Sequence, residues 1–297
     1  MPSFTENCLA SALVAAKKAG DEILEVYFGD IDVTYKEDNT PLTLADQRAH
    51  RAILKILPAF SQDDIPILSE EGKDIPYEKR ADWKYLWLVD PLDGTKEFVK
   101  RRDEFTVNIA LIQNNRPVVG VVLLPAAESL YFAAEGLGSY KLDNIETLGS
   151  LLDDSGNGSG KTLDLSTVMA GARRLPSHDA TGRPSKQINL VGSRSHGIEA
   201  LSDFVDKMKD SYDEVGFVPA GSALKFCLVA EGKADLYPRF GPTMEWDTAA
   251  GHCVVEQSGG AVVQMSERTP LTYNKQDLHN PYFICLGKNF KDVNLPL

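Results

Sequence analysis

The chain has 297 residues, of which 43% are hydrophobic and 25% charged, a composition that can build a large core and is too apolar for a disordered segment. A formal net charge of −12 and a pI near 4.9 exclude a general nucleic-acid or anionic-membrane surface, since an acidic field repels phosphate backbones; an anionic substrate would need cations or a local basic pocket. Between Met1 and Gly20 the apolar pattern is interrupted by Glu6, Lys17 and Lys18, so neither a signal peptide nor a membrane span is expected, and the protein is expected to be soluble and cytoplasmic.

Phe4 to Phe28 carries apolar residues at helical spacing, through Leu9, Ala12, Leu13, Ala16, Ile23, Leu24 and Tyr27, and predicts a long amphipathic helix. An extended stretch near Val33 to Lys36 precedes a second helix over Leu44 to Leu57, which Pro58 is expected to end. A strand near Pro66 to Leu68 delivers Ser69-Glu70-Glu71-Gly72, and a polar loop leads to a buried strand over Tyr85 to Val89 that Pro91 should terminate. Gly94 and Thr95 can open a short helix. The runs Thr106 to Ile112, Val118 to Leu124 and Ser129 to Ala134, separated by Asn114-Asn115 and Pro125, predict an antiparallel meander.

Between about Asn144 and Lys186 the periodicity fades into Gly, Ser, Asp, Arg and Pro, as in an irregular connection between two units. Ser155-Gly156-Asn157-Gly158-Ser159-Gly160-Lys161-Thr162 nearly spells a phosphate-binding P-loop. Ser155 replaces its first glycine, however, and neither a strand before it nor a helix after it is in prospect. Beyond it, strand-like runs (Ile188 to Ser193, Glu214 to Val218, Ala234 to Tyr237, Ala261 to Gln264, Tyr282 to Leu286) alternate with helical ones (Gly197 to Lys209, Ser222 to Glu231, Thr248 to Gln257), which indicates a second α/β layer. Three segments follow: an N-terminal α+β domain over 1–143, the connection over 144–187 and a C-terminal α/β domain over 188–297. Cys8, Cys227, Cys253 and Cys285 lie far apart with no CxxC spacing and fit reduced thiols in a core.

The chemistry concentrates in Trp87-Leu88-Val89-Asp90-Pro91-Leu92-Asp93-Gly94-Thr95, which sets two carboxylates three residues apart at a strand's carboxyl end, beside the free N–H groups of a helix start. Such a place favours hard cations and phosphate together. Taken alone, the same spacing equally describes an Asp-Gly turn and a helix cap. Glu70 follows a strand directly and Asp247 stands at a helix start in Met244 to Gly251; each also has a plain reading, as a solvated loop carboxylate and as an N-cap. Together with Asp90 and Asp93 they would make an oxygen-only cluster suited to Mg²⁺, and no Cys or His set competes with it.

On three motifs in the same order, Leu68 to Gly72, Trp87 to Thr95 and Glu245 to Gly251, the chain resembles the metal-dependent, lithium-sensitive phosphatases of the inositol monophosphatase and fructose-1,6-bisphosphatase superfamily. Thr95-Lys96-Glu97-Phe98, Gly221 to Phe226 and Leu236 to Pro242 are similar to its 3′(2′),5′-bisphosphate nucleotidase branch, in which Glu97 stands where inositol monophosphatases typically carry Asn. The resemblance implies a layered α/β/α/β/α sandwich, with Mg²⁺ (two or three ions, and inhibition by Li⁺) held by Glu70, Asp90, Asp93, Asp247 and the carbonyl of Leu92, Asp90 and Asp93 bridging. Two cations roughly 3.5–4 Å apart suit in-line attack on a phosphomonoester. It further implies that Asp46 and Thr95 orient and deprotonate the attacking water, that Gly94 and Thr95 donate N–H groups to the phosphate, and that Ser193, His196, Ser222, Lys225 and Arg239 contact the nucleotide, the last two at a non-scissile phosphate. Each also has a plain role open to it, such as a surface histidine at 196 or solvated cations at 225 and 239.

The expected activity is hydrolysis of the 3′-phosphate of adenosine 3′,5′-bisphosphate, or of its sulfate-bearing relative, to a 5′-nucleotide and inorganic phosphate. The partner is a small phosphorylated nucleotide, with no nucleic-acid polymer and no membrane, and the chain acts as a monomer or homodimer. An inositol mono- or 1,4-bisphosphate phosphatase is the nearest alternative, and a non-catalytic nucleotide-binding protein a remote one.

Overall fold

A computed structural model describes residues 2–29, 33–35, 41–60, 64–146, 148, 163–178, 186–193 and 198–290. Helix α1 (Phe4–Tyr27) starts where Ser3 and Glu6 cap each other, the Glu6 N–H donating to Ser3 Oγ and the Ser3 N–H to Glu6 Oε2. Strands β1 (Val33–Tyr35) and β2 (Pro41–Thr43) form a two-stranded antiparallel ribbon that runs into α2 (Leu44–Phe60). That helix continues past Pro58, because the missing N–H forfeits only a bond to the carbonyl of Leu54, on the solvent side of the last turn.

Strand β3 (Ile67–Ser69), short helix α3 (Tyr77–Arg80), β4 (Tyr85–Asp93) and helix α4 (Thr95–Val99) follow. The meander is completed by β5 (Thr106–Gln113), β6 (Arg116–Leu124), β7 (Ser129–Ala134) and β8 (Gly138–Asp143). The segment expected to be irregular holds helix α5 (Leu165–Gly171), capped by Asp164, and strand β9 (Arg173–Arg174), which lies beside β8. Their shortness explains why no periodicity announced them. The P-loop-like run at 155–162 falls outside the described residues.

In the second half come β10 (Gln187–Gly192), α6 (Ile198–Lys209), β11 (Glu214–Pro219), α7 (Leu224–Glu231), β12 (Leu236–Arg239), α8 (Glu245–Gln257), β13 (Ala261–Gln264) and β14 (Phe283–Leu286). One sheet has seven strands in the order β3-β4-β5-β6-β7-β8-β9, and the other has five in the order β11-β10-β12-β14-β13. Strand alternation sorts the side chains. Trp87, Val89, Ile109 and Val121 face α1 and α2, whereas Leu86, Leu88, Ala110 and Val122 face α7 and α8. Beyond those helices Val191, Tyr237 and Cys285 cover the inner face of the five-stranded sheet, while Ile188, Leu190 and Ile284 pack outward against Phe204 and Met208 of α6. The result is the expected α/β/α/β/α sandwich.

Helix α8 approaches the seven-stranded sheet closely at Gly120, where an added Cβ would sit 2.4 Å from the carbonyl of Ala250. All four cysteines are buried and none forms a disulfide, as their spacing suggested. Among the described residues no helix is long and apolar enough to cross a membrane.

Candidate active site

Strand β4 does not end at Pro91. It pairs with β5 as far as Asp93 opposite Thr106, taking an extra residue between Asp90, opposite Asn108, and Asp93. Within such a bulge a ladder N–H is not required, so proline is tolerated, and the bend re-aims the two carboxylates. The N–H of Leu92 donates to Asp90 Oδ1 at 3.1 Å and holds the bulge from within. Gly94 then takes φ 90°, ψ 40°, a left-handed conformation that turns the chain into α4.

Around this turn the described residues bring carboxylate oxygens of Glu70, Asp90 and Asp247 within 4.8 Å of one another. Glu70 comes from the end of β3, whose last pairing is with β4, and Asp247 from the first turn of α8, where it accepts from the Met244 N–H at 2.9 Å. The helix starts at Glu245, three residues before the predicted start, because this carboxylate and Asn280 satisfy its opening turn. Asp93 lines the same cleft, with its carboxylate against Thr106 Oγ1 (3.4 Å) and Asn108 Nδ2 (3.5 Å). Leu92, Gly94, Thr95, Ser193, Ser222, Lys225 and Arg239 border the cleft too, whose volume is about 300 Å³. Position 196 lies outside the described residues.

Asp46 stands one layer behind. Its Oδ2 accepts from the Thr43 N–H (2.7 Å) and hydroxyl (2.6 Å), while Oδ1 accepts from Thr95 Oγ1 at 3.3 Å, which also reaches the Leu92 carbonyl at 3.3 Å. The first-turn position that suits the α2 dipole thus also aims one oxygen at Thr95. Lys225 is almost fully buried, its ammonium donating to the Ser222 carbonyl at 2.6 Å and lying 5.4 Å from the Tyr237 ring centre. Arg239 donates to the carbonyls of Gly241 and Pro242.

Burial, followed by the charges of Glu70, Asp93 and Asp247, pushes the Asp90 carboxyl well above its usual range. Asp247 is pushed up to about 8 by burial and then by Asp93, and Asp46 to about 6 by burial against the opposing bonds from Thr43. Asp93 is raised by burial, with Lys225 acting against it, and burial draws Lys225 itself down to about 8.

These directions carry a stability consequence. A carboxyl that holds its proton more tightly folded than unfolded contributes stability that is complete below about pH 4 and disappears as pH rises through the folded value. Buried His252, drawn down to about 3, acts oppositely, but only below its unfolded value near 6.5. Between pH 6.5 and 7.5, below the folded values of about 8 for both Asp247 and Lys225, the cation-free protein should therefore lose on the order of 1 kcal/mol per pH unit for the proton that Asp247 retains. Millimolar Mg²⁺ should remove that slope. Melting temperatures in chelator and in Mg²⁺ across this window test it, and a cation-free melting temperature that rises with pH would contradict it.

Several participants escaped the sequence reading. Thr43 fixes Asp46, and Thr106 and Asn108 flank Asp93. Their signal was present: Thr106 and Asn108 are polar at alternate positions of an otherwise apolar strand, on the face that meets Asp90 and Asp93. Tyr237, although inside the Leu236 to Pro242 motif, was not singled out, because it reaches the cleft only through the packing of the two sheets.

Residues 5–289 match the family model described as the inositol monophosphatase family. The chain is 42% identical to the 3′(2′),5′-bisphosphate nucleotidase CysQ of Shigella flexneri over 272 residues, which cover 90% of this chain and 95% of that protein. It is 41% identical, with the same coverage, to the protein of that name from Escherichia coli strain K12. The crystal structure of CysQ from Bacteroides thetaiotaomicron, described as a bacterial member of the inositol monophosphatase family, superposes with a TM-score of 0.81 at 45% identity, covering 96% of this chain and 98% of that one.

Proposed function

The chain belongs to the inositol monophosphatase family, and on that premise we propose that it is a Mg²⁺-dependent 3′(2′),5′-bisphosphate nucleotidase, hydrolysing the 3′-phosphate of adenosine 3′,5′-bisphosphate to AMP and inorganic phosphate. The observation that carries this reading is a single cleft lined both by buried carboxylates and by the cations of Lys225 and Arg239. The donor set fits the cation. Oxygens alone, on carboxylates whose mutual repulsion raises their affinity for positive charge, suit Mg²⁺ and offer nothing to softer metals. In this reading Glu70, Asp90, Asp93, Asp247 and the Leu92 carbonyl would hold two or three Mg²⁺ ions, and Li⁺ would inhibit. When bound, the ions neutralise charge on the attacking and leaving oxygens.

The chain's own residues supply position and proton transfer. Thr95 Oγ1 passes its proton to Asp46 Oδ1 as it takes one from the attacking water, because the Asp46–Thr95 bond is preformed and Thr43 keeps the second oxygen of Asp46 engaged. The water oxygen bonds to phosphorus and the bond to the 3′-oxygen breaks, that oxygen taking a proton from solvent water while Asp46 returns the one it received to solvent. Gly94 and Thr95 donate backbone N–H groups to the phosphate. Ser193 and Ser222 line the part of the cleft left for the nucleoside, with His196 assigned to it by the sequence resemblance alone, and Lys225 and Arg239 hold the 5′-phosphate, where a fixed positive charge favours doubly phosphorylated substrates. Four buried thiols outside any disulfide are compatible with a reducing cytoplasm.

Phosphate release in Mg²⁺ should be at least about a hundredfold faster from adenosine 3′,5′-bisphosphate than from AMP or an inositol monophosphate, and should fall with added Li⁺. Equal turnover of AMP and the bisphosphate would overturn the nucleotidase reading, and preference for the inositol ester would move it to the other branch.

A further inference from the structure

Two loops from different sheets are tied together at the cleft. One is the turn from β4 into α4 with the connection that follows, carrying Asp93, Gly94 and Glu104; the other joins β11 to α7 and carries Gly221 and Ser222. The Ser222 hydroxyl donates to the Asp93 carbonyl at 3.0 Å, and the Gly221 N–H donates to Glu104 Oε2 at 2.8 Å. The Ser222 carbonyl in turn accepts from the Lys225 ammonium at 2.6 Å. The approach is tight. A Cβ at Gly94 would lie 2.1 Å from Ser222 Oγ, and one at Gly221 would lie 3.1 Å from Glu104 Oε2 and 3.3 Å from Glu97 Cγ.

Ser222 sits at φ 45°, a left-handed conformation that an L-residue adopts at a cost, so these bonds hold a loop shape the backbone would otherwise relax. A lysine on a four-carbon stem has no fixed reach of its own. Its hydrogen-bond acceptor here is the Ser222 carbonyl, on a loop held by the bonds from Ser222 to Asp93 and from Gly221 to Glu104.

We infer that Glu104 is a positioning residue which, through Gly221 and Ser222, sets the separation between the Asp93–Gly94 end of the cleft and Lys225, and so gives the enzyme its preference for esters bearing a second phosphate. This rests on the nucleotidase reading and on Lys225 as a ligand of the non-scissile phosphate. Glu104 touches no substrate. It acts on the spacing of two groups that do, so its loss should be felt only by a substrate that spans both.

The decisive comparison is adenosine 3′,5′-bisphosphate against adenosine 3′-monophosphate, which presents the same scissile ester with no second phosphate. In phosphate-release assays on the full chain with saturating Mg²⁺, Glu104→Ala should lose about tenfold in kcat/KM on the bisphosphate, the effect of one lost positioning hydrogen bond. On the monophosphate it should stay within about twofold of the parent. Glu104→Gln keeps an acceptor for the Gly221 N–H without the charge and should retain the parental ratio. Glu104→Met, of similar volume without an acceptor, should behave as the alanine variant and replaces it if that protein is unstable. Equal losses on both substrates, no loss on either, or a glutamine variant as impaired as the alanine one would overturn the inference. The last outcome would assign the effect to the charge of Glu104 on Lys225. A parent enzyme that accepts both substrates alike would instead refute the two-phosphate reading, and the strut would fall with it.

Discussion

Asp90→Asn should cut turnover severely while leaving a protein that, without divalent cation, melts no lower than the parent. The substitution keeps an Oδ1 acceptor for the Leu92 N–H, so the bulge in β4 retains its internal bond. It removes an ionisable group from a fully buried position beside Glu70, Asp93 and Asp247, where burial and mutual repulsion already oppose ionisation. Stability should therefore stay level or rise. Catalysis has no such compensation, because charge stabilisation at the reacting phosphate goes with the ligand set, and kcat/KM should fall on the order of 10³-fold. Added Mg²⁺ should also raise the melting temperature less than in the parent. A variant that melts several degrees lower in chelator would mean that Asp90 is a structural carboxylate, and one within about tenfold of parental activity would remove it from the cation site.

Asp46→Asn and Thr95→Ala should each lower kcat on the order of 10²–10⁴-fold with KM nearly unchanged. The asparagine case follows from the hydrogen-bond directions. Both Thr43 donors converge on Oδ2, so an amide keeps its oxygen there and turns its NH₂ toward Thr95, which then faces a donor where it had an acceptor. Since each substitution breaks the same Asp46–Thr95 step, the double variant should be little worse than either single one. Multiplicative losses in single-turnover kinetics would show that the two side chains act separately.

Much of this architecture was legible in the chain because the deciding signals are local. The spacing from Leu9 to Tyr27 has room for one interpretation, and the short β-rich run Thr106 to Ile112, bounded by Asn114-Asn115, reads as a strand without reference to its neighbours. Pro91 misled for an equally local reason: proline reads as a terminator, and a bulge that excuses its missing N–H depends on the partner strand. Pro58 is the helical counterpart. At the site, Glu70, Asp90 and Asp247 come from three motifs, each ambiguous by itself, and only the combination distinguished them from turns and caps. The contacts of Glu104 with Gly221 and of Ser222 with Asp93 span 117 and 129 residues, and no periodicity reports a contact of that range.

Helix α8 belongs to both halves at once, packed on the seven-stranded sheet through Gly120 and covered on its other side by the five-stranded one, with Asp247 on its first turn. Neither sheet owns the active centre. A chain in which either has formed alone would display nearly all the native backbone order of that half and still lack a complete carboxylate cluster. In a refolding chain, activity is thus a signal of the last docking event, and agreement between recovered activity and recovered secondary structure would mean that the two sheets assemble as one cooperative unit.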